Sequence, residues 1–417
     1  MPLPALPAAS GGLARPVDLG LSEQLWQGVS FKVWQSLLTK QPQRQSSPAL
    51  RHVLAGTIAA RAILPVAPTT TDSALLRAQA LNHYASAENL GLFIATQPES
   101  ARTPALLSLR QTATQPRSEA EVQLQADLAR ESGKQTDERD DKLAALQSGD
   151  AAAAEWLATY GYISADQLAA AYLIHTTGES DHQLMRANLW REIQSNTGRK
   201  NQLLKNFIDN AGVNGIVGTR GALLLGPLRD TSARSNDTAA ALFALAAAQD
   251  QREFADDWYA ALEQSRATVD EAESWQARLW PVAVAMGLSA VNPSDLPNWV
   301  QAAVGEDLPV FAVLTLLEAR GLIISPEAWD KASNGPGLAA STKSDQAQLD
   351  LLKSAATSGR QGETILRAGI LAGTDFAEAP APTAAAIIRA FTTLGLNQLA
   401  DDLTVEALLA LLYPSHG

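Results

Sequence analysis

Apolar residues recur along this chain at three- and four-residue intervals almost from end to end, the spacing of one-sided α-helices. The stretch from Asn236 to Met286 shows the pattern most fully. Residues 238–249, TAAALFALAAAQ, are apolar on nearly every face, which predicts a helix wrapped by others. Phe254, Trp258, Ala261 and Leu262 then mark a one-sided helix, and Trp275, Leu279, Val282 and Met286 mark another. Asp270, Glu271 and Glu273 fall in the first turn of the latter, where carboxylates complement unpaired N–H groups. Pro281 is expected to kink this third helix.

The same grammar extends both ways. Trp26, Val29, Val33 and Leu37 form a first stripe, and Ser47-Pro48 is an N-cap followed by proline at the first helical position. In AAAAEWLATYGYISADQLAAAYL, Gly161 stops one helix, and Ser164 with Gln167 forms a capping box for the next. LLEARGLIISPEAW echoes it, with Gly321 as the stop and Ser325-Pro326-Glu327 as the start. Ser294, Asp307 with Pro309, and Thr383 supply further starts, and Gly305 and Gly395 further stops. No alternating run predicts a strand. The fold class expected is all-α, an array of antiparallel helical hairpins forming an α-solenoid-like superhelix.

The divisions read as a Pro/Ala-rich tether over residues 1–20, N-terminal hairpins over 21–116, charged connecting helices over 117–149, a central array over 150–333, a Gly/Ser-rich joint over 334–346 and C-terminal hairpins over 347–417. The closing pair, AAAIIRAFTTLGLNQLADDLTVEALLALL, resembles a tetratricopeptide-like hairpin in its small-large alternation and its turn at Leu394-Gly395-Leu396. The resemblance covers about thirty residues and implies a helical-repeat architecture that binds a protein or peptide on a concave face.

Composition narrows the function. The 417 residues carry a net charge of -12, which opposes non-specific binding to nucleic acid or an anionic bilayer. No apolar run approaches the ~20 residues needed to cross a membrane. Absence of cysteine excludes disulfides and thiolate chemistry, and points towards an oxidising compartment such as a bacterial periplasm, with the cytoplasm as alternative. The opening MPLPALPAASGGLARP lacks the basic start and apolar core of a signal peptide, and reads as a tether such as remains after a signal or anchor is removed.

Three places could carry chemistry. His175, Glu179, Asp181 and His182 group imidazoles and carboxylates near a helix–helix turn, where a metal is conceivable; their spacing does not match HExxH, and acidic residues before a helix are ordinary caps. Gly212, Gly215, Gly218, Gly221 and Gly226 punctuate AGVNGIVGTRGALLLGPL. Gly215, Gly218 and Arg220 could form a ligand or peptide groove, the alternative being a non-helical or closely packed segment crossing the interior. Among the aromatic residues, Tyr259 and Trp280 sit off their helical stripes and are the candidates for a binding surface. No nucleophile elbow, Ser/His/Asp set or isolated carboxylate pair in an apolar setting is apparent, and no cofactor motif is present. The expectation is a non-enzymatic interaction scaffold of the cell envelope that binds a protein or peptide. The alternatives are a helical enzyme acting on cell-wall glycan, or a small-ligand or peptide carrier using the Gly212–Gly226 segment.

Overall fold

The computed structural model describes residues 141–146, 150–174, 181–195, 199–228, 236–265, 270–289, 291–333 and 346–413, with part of the stretch between 33 and 57. The tether, the hairpins expected between 58 and 116, most of the charged connection, His175–Ser180 and the Gly/Ser joint lie outside the described residues. Among the described residues the protein is all-α, without a strand.

The helices are α1 (Ala151–Thr159), α2 (Ala165–Ile174), α3 (Asp181–Ser195), α4 (Lys200–Ile216), α5 (Thr219–Leu228), α6 (Asn236–Ala248), α7 (Arg252–Ser265), α8 (Asp270–Met286), α9 (Leu296–Gly305), α10 (Val310–Arg320), α11 (Pro326–Ser333), α12 (Gln346–Thr357), α13 (Gln361–Ala372), α14 (Ala381–Thr393) and α15 (Asn397–Leu412). Helical residues between 48 and 57 precede them.

The local punctuation follows the residues that encode it. Ser164 and Gln167 make the reciprocal box, with Gln167 Oε1 accepting from the Ser164 amide at 2.8 Å and Ser164 Oγ accepting from the Gln167 amide at 3.2 Å. Ser47 Oγ accepts from the Leu50 amide at 3.3 Å and so caps the helix begun by Pro48. Gly161, Gly321 and Gly395 end their helices at φ of 72°, 108° and 75°, a region open to glycine at no steric cost. At Ser294 the cap is instead Asn292, whose Oδ1 accepts the Ser294 amide at 3.0 Å to open a short 3₁₀ turn.

Helix α6 lies at the centre. Alanine has the best helix propensity and the smallest side chain, so neighbours can approach on every side, and Ala240 through Ala246 are completely enclosed. Helices α4, α7, α8 and α15 all pack on it. Helix α15 likewise touches α4, α6, α8, α10 and α14. Contacts thus join neighbours in sequence and elements far apart in it, which goes beyond the neighbour-to-neighbour packing of a linear repeat array.

Pro281 does not end α8, which continues to Met286. Proline has no N–H to give to the carbonyl four residues back. That carbonyl, Ala277 O, accepts instead from Trp299 Nε1 of α9 at 2.6 Å, and the Trp280 and Trp299 rings stack with centroids 5.6 Å apart. The Trp280 side of α8 is therefore an interface with α9 rather than a surface.

Candidate functional site

Neither aromatic candidate is a surface group. Tyr259 is 1% exposed and Trp280 7%. Their positions off the main stripe signify a second buried face: Tyr259 meets Phe243 of α6 at 5.6 Å and Trp280 meets Trp299. Of the metal candidates, His175 and Glu179 and the side chains of Asp181 and His182 lie outside the described residues.

The glycine segment is mostly helical. Gly212 takes a left-handed φ of 65° within α4, and the chain breaks at Val217-Gly218 before α5. A Cβ at Gly221 would lie 1.8 Å from Ile216 O and 2.5 Å from Gln249 Nε2, so glycine is required there for close backbone approach. Gly218 has open space around it, and Gly215 abuts Ala211 and the Arg220 guanidinium. Gly215 and Arg220 do come together, but Arg220 turns inward.

Its destination is a buried polar cluster. Glu155 of α1, 4% exposed, takes a two-pronged bond from Arg186 of α3, at 2.7 Å to Oε1 and 2.5 Å to Oε2. Tyr172 of α2 donates its hydroxyl to the same Oε1 at 2.7 Å, and Arg220 of α5 approaches Oε2 at 3.6 Å while donating to Thr159 Oγ1 at 3.3 Å. Arg186 also donates to the Asn210 carbonyl and side chain at 3.0 and 2.8 Å. Burial works against the Arg186 charge, but its bonds to Glu155 outweigh this and raise its pKa. Burial and the adjacent Glu155 hold the Tyr172 phenol well above its ordinary value. The cluster ties α1, α2, α3 and α5 together and directs the mostly buried Arg220 guanidinium towards Glu155 and Thr159.

The open site lies on the other side of the glycine break. A cleft of about 610 Å³ is lined by Pro48 and Ala49, by Val217, by the α6–α7 turn from Ala247 to Phe254, by Met286, and by Gln398, Asp401, Asp402, Val405 and Glu406 of α15. Gln249 fixes its floor, donating from Nε2 to Ile216 O at 2.6 Å and Gly218 O at 3.1 Å. Asp250, with φ of 48°, turns the chain at the rim and pairs with Arg252 at 3.2 Å. Asp401 is held by Arg320 of α10.

Two carboxyls one turn apart on α15 are perturbed. Burial pushes Glu406 up to about 8; Ser47 Oγ, donating to its Oε2 at 2.7 Å, and the more distant Arg51 pull the other way, while Asp375 and Asp402 add repulsion. Burial raises Asp402 to about 6, against a 2.8 Å hydrogen bond from Gln398 Nε2, with Asp250 and Asp401 adding repulsion and Arg252 opposing them. Perturbed carboxyls in a cleft mark it as the candidate site. They also correct the expectation that no carboxylate pair lies in an apolar setting. The signal was present: Glu406 stands within TVEALLALL, a nearly continuous apolar run.

A stability effect follows from Glu406. The folded chain holds this proton more tightly than the unfolded chain, whose ordinary value is 4.5, so the stabilisation is complete below that pH and is lost as pH rises through about 8. Wild-type stability is expected to decline between pH 5 and 8.5. Glu406→Gln keeps an acceptor for Ser47 without the titration, so it should flatten this slope and be the more stable protein at pH 8.5 by about 1 kcal/mol or more. Urea unfolding across the range measures both.

No family model, curated protein or solved structure matches the chain.

Proposed function

We propose that the protein is a non-enzymatic interaction scaffold, a set of tetratricopeptide-like helical hairpins in the bacterial cell envelope whose cleft between the α6–α7 turn and α15 receives a protein or peptide. The observation that carries this reading is the cleft itself: an open groove of about 610 Å³ with mixed apolar and charged walls, set on the ends of well-packed helices. Glu406 is 5% exposed and its Oε2 accepts from Ser47, which favours a structural or binding role over turnover of a glycan. The glycine segment contributes Val217 to the wall and two carbonyls to Gln249, so the carrier and scaffold readings converge on one groove.

A photo-crosslinking amino acid placed at Glu253 on the rim is expected to capture a partner in the native cells. The same probe at Ile323, 92% exposed and outside the cleft, should not capture it. Equal capture at both positions, or capture unaffected by filling the groove with Ala248→Trp, would place the partner elsewhere.

A further inference from the structure

Around the cleft most charges are already matched, and Asp402 is the half-buried one that is not. Asp250 has Arg252, and Asp401 has Arg320. Glu406 is engaged by Ser47 and lies near Arg51. Asp402 has only the neutral amide of Gln398 and forms no ion pair among the described residues; Arg252 is the one cation that acts on it, opposed by Asp250 and Asp401. Glu253, also on the rim, adds to the negative side. Beside this carboxylate the wall is apolar, formed by Phe254, Met286 and Val405. An under-compensated carboxylate against an apolar wall complements a cation carried on a hydrocarbon stem. The space is too large for one side chain and opens to solvent, so flanking residues of a chain must fill the remainder.

We infer that the cleft accepts an arginine or lysine side chain presented on an apolar peptide segment of a partner protein, with its cationic head at Asp402 and its stem against Phe254, Met286 and Val405. This rests on the scaffold reading and names the kind of partner it serves. Binding of the cation favours ionised Asp402, so it releases a proton in mildly acidic solution and strengthens as pH rises through about 6.

The test uses the full chain and an array of apolar heptapeptides with arginine, lysine, citrulline or glutamate at the centre. The strongest binders are then followed in solution by fluorescence anisotropy at pH 5.0 and 7.5. The expected result is at least tenfold preference for arginine or lysine over citrulline, whose shape matches arginine without its charge, with glutamate peptides weakest. Affinity should rise roughly tenfold from pH 5.0 to 7.5, following the ionised fraction of Asp402. Asp402→Asn should remove both the charge preference and the pH dependence while leaving the melting temperature unchanged or higher, because an uncompensated carboxylate has gone. Equal binding of arginine and citrulline peptides, full retention of selectivity in Asp402→Asn, binding of free agmatine as tight as that of the best peptide, or no binding to any peptide overturns the inference. Charge-blind binding that Ala248→Trp abolishes would leave the cleft a docking site and remove only its cation selectivity. Loss of rim crosslinking, by contrast, strikes the scaffold reading itself.

Discussion

Replacing Arg186 by leucine is expected to cost about 3 kcal/mol of folding stability, the largest single effect on this protein. Glu155 would remain enclosed with its two strongest bonds gone, and an orphaned buried charge costs far more than the intact pair contributes. Tyr172 and the more distant Arg220 would remain beside it, which keeps the loss from the top of the range. At this chain size the change corresponds to a melting-temperature fall of roughly 3–4 °C. Glu155→Leu combined with Arg186→Leu should recover only part of the loss, since no unpaired carboxylate is left but the Tyr172 hydroxyl loses its acceptor and Arg220 its counter-charge. Thermal and urea unfolding of the two variants measure this. A fall below about 1 kcal/mol for Arg186→Leu would mean that Arg220 moves in to take over the bond.

The second large effect concerns glycine. Gly221→Ala is expected to destabilise by about 2–3 kcal/mol, because its Cβ meets a backbone carbonyl that cannot move without disrupting the α4–α5 break. Gly218→Ala, three residues earlier with nothing near its Cβ, should change stability by less than about 0.5 kcal/mol, the cost of exchanging glycine for alanine at a helix N-cap. Unfolding midpoints of both variants decide it; equal losses would refute the packing at the break.

Local features of this fold are readable in the sequence, and distant ones are not. Caps and stops are local, so Ser47, Ser164, Gln167, Gly161 and Gly321 announced helix ends that the structure places where expected. The all-round apolar pattern of α6 announced its enclosure. What joins distant elements has no local sign. Arg220 looked available because its partner Glu155 lies 65 positions away, a separation that no periodicity encodes. Trp280 and Tyr259 looked exposed because a helix with two buried faces breaks the assumption of one stripe. The donor that replaces the missing N–H of Pro281, Trp299, belongs to the next helix and so had no sign near the proline. The cleft was the least legible, since Pro48, Val217, Asp250 and Glu406 meet only in three dimensions.

The hold of the early segment on the last hairpins bears on synthesis. Gln45 donates to Gly373 O at 3.0 Å, the Ser46 amide to Thr374 O at 2.8 Å, and Ser47 Oγ to Glu406, across a separation of 359 residues in the last case. At ordinary translation rates the ribosome needs roughly 20–70 s to make that interval. Through most of it Leu54, which ends up completely enclosed, has emerged without α13, whose Gly369 packs against it. A nascent chain that stalls before α13 therefore displays sticky surface at its front end, where chaperones and proteases can tell it from a finished molecule.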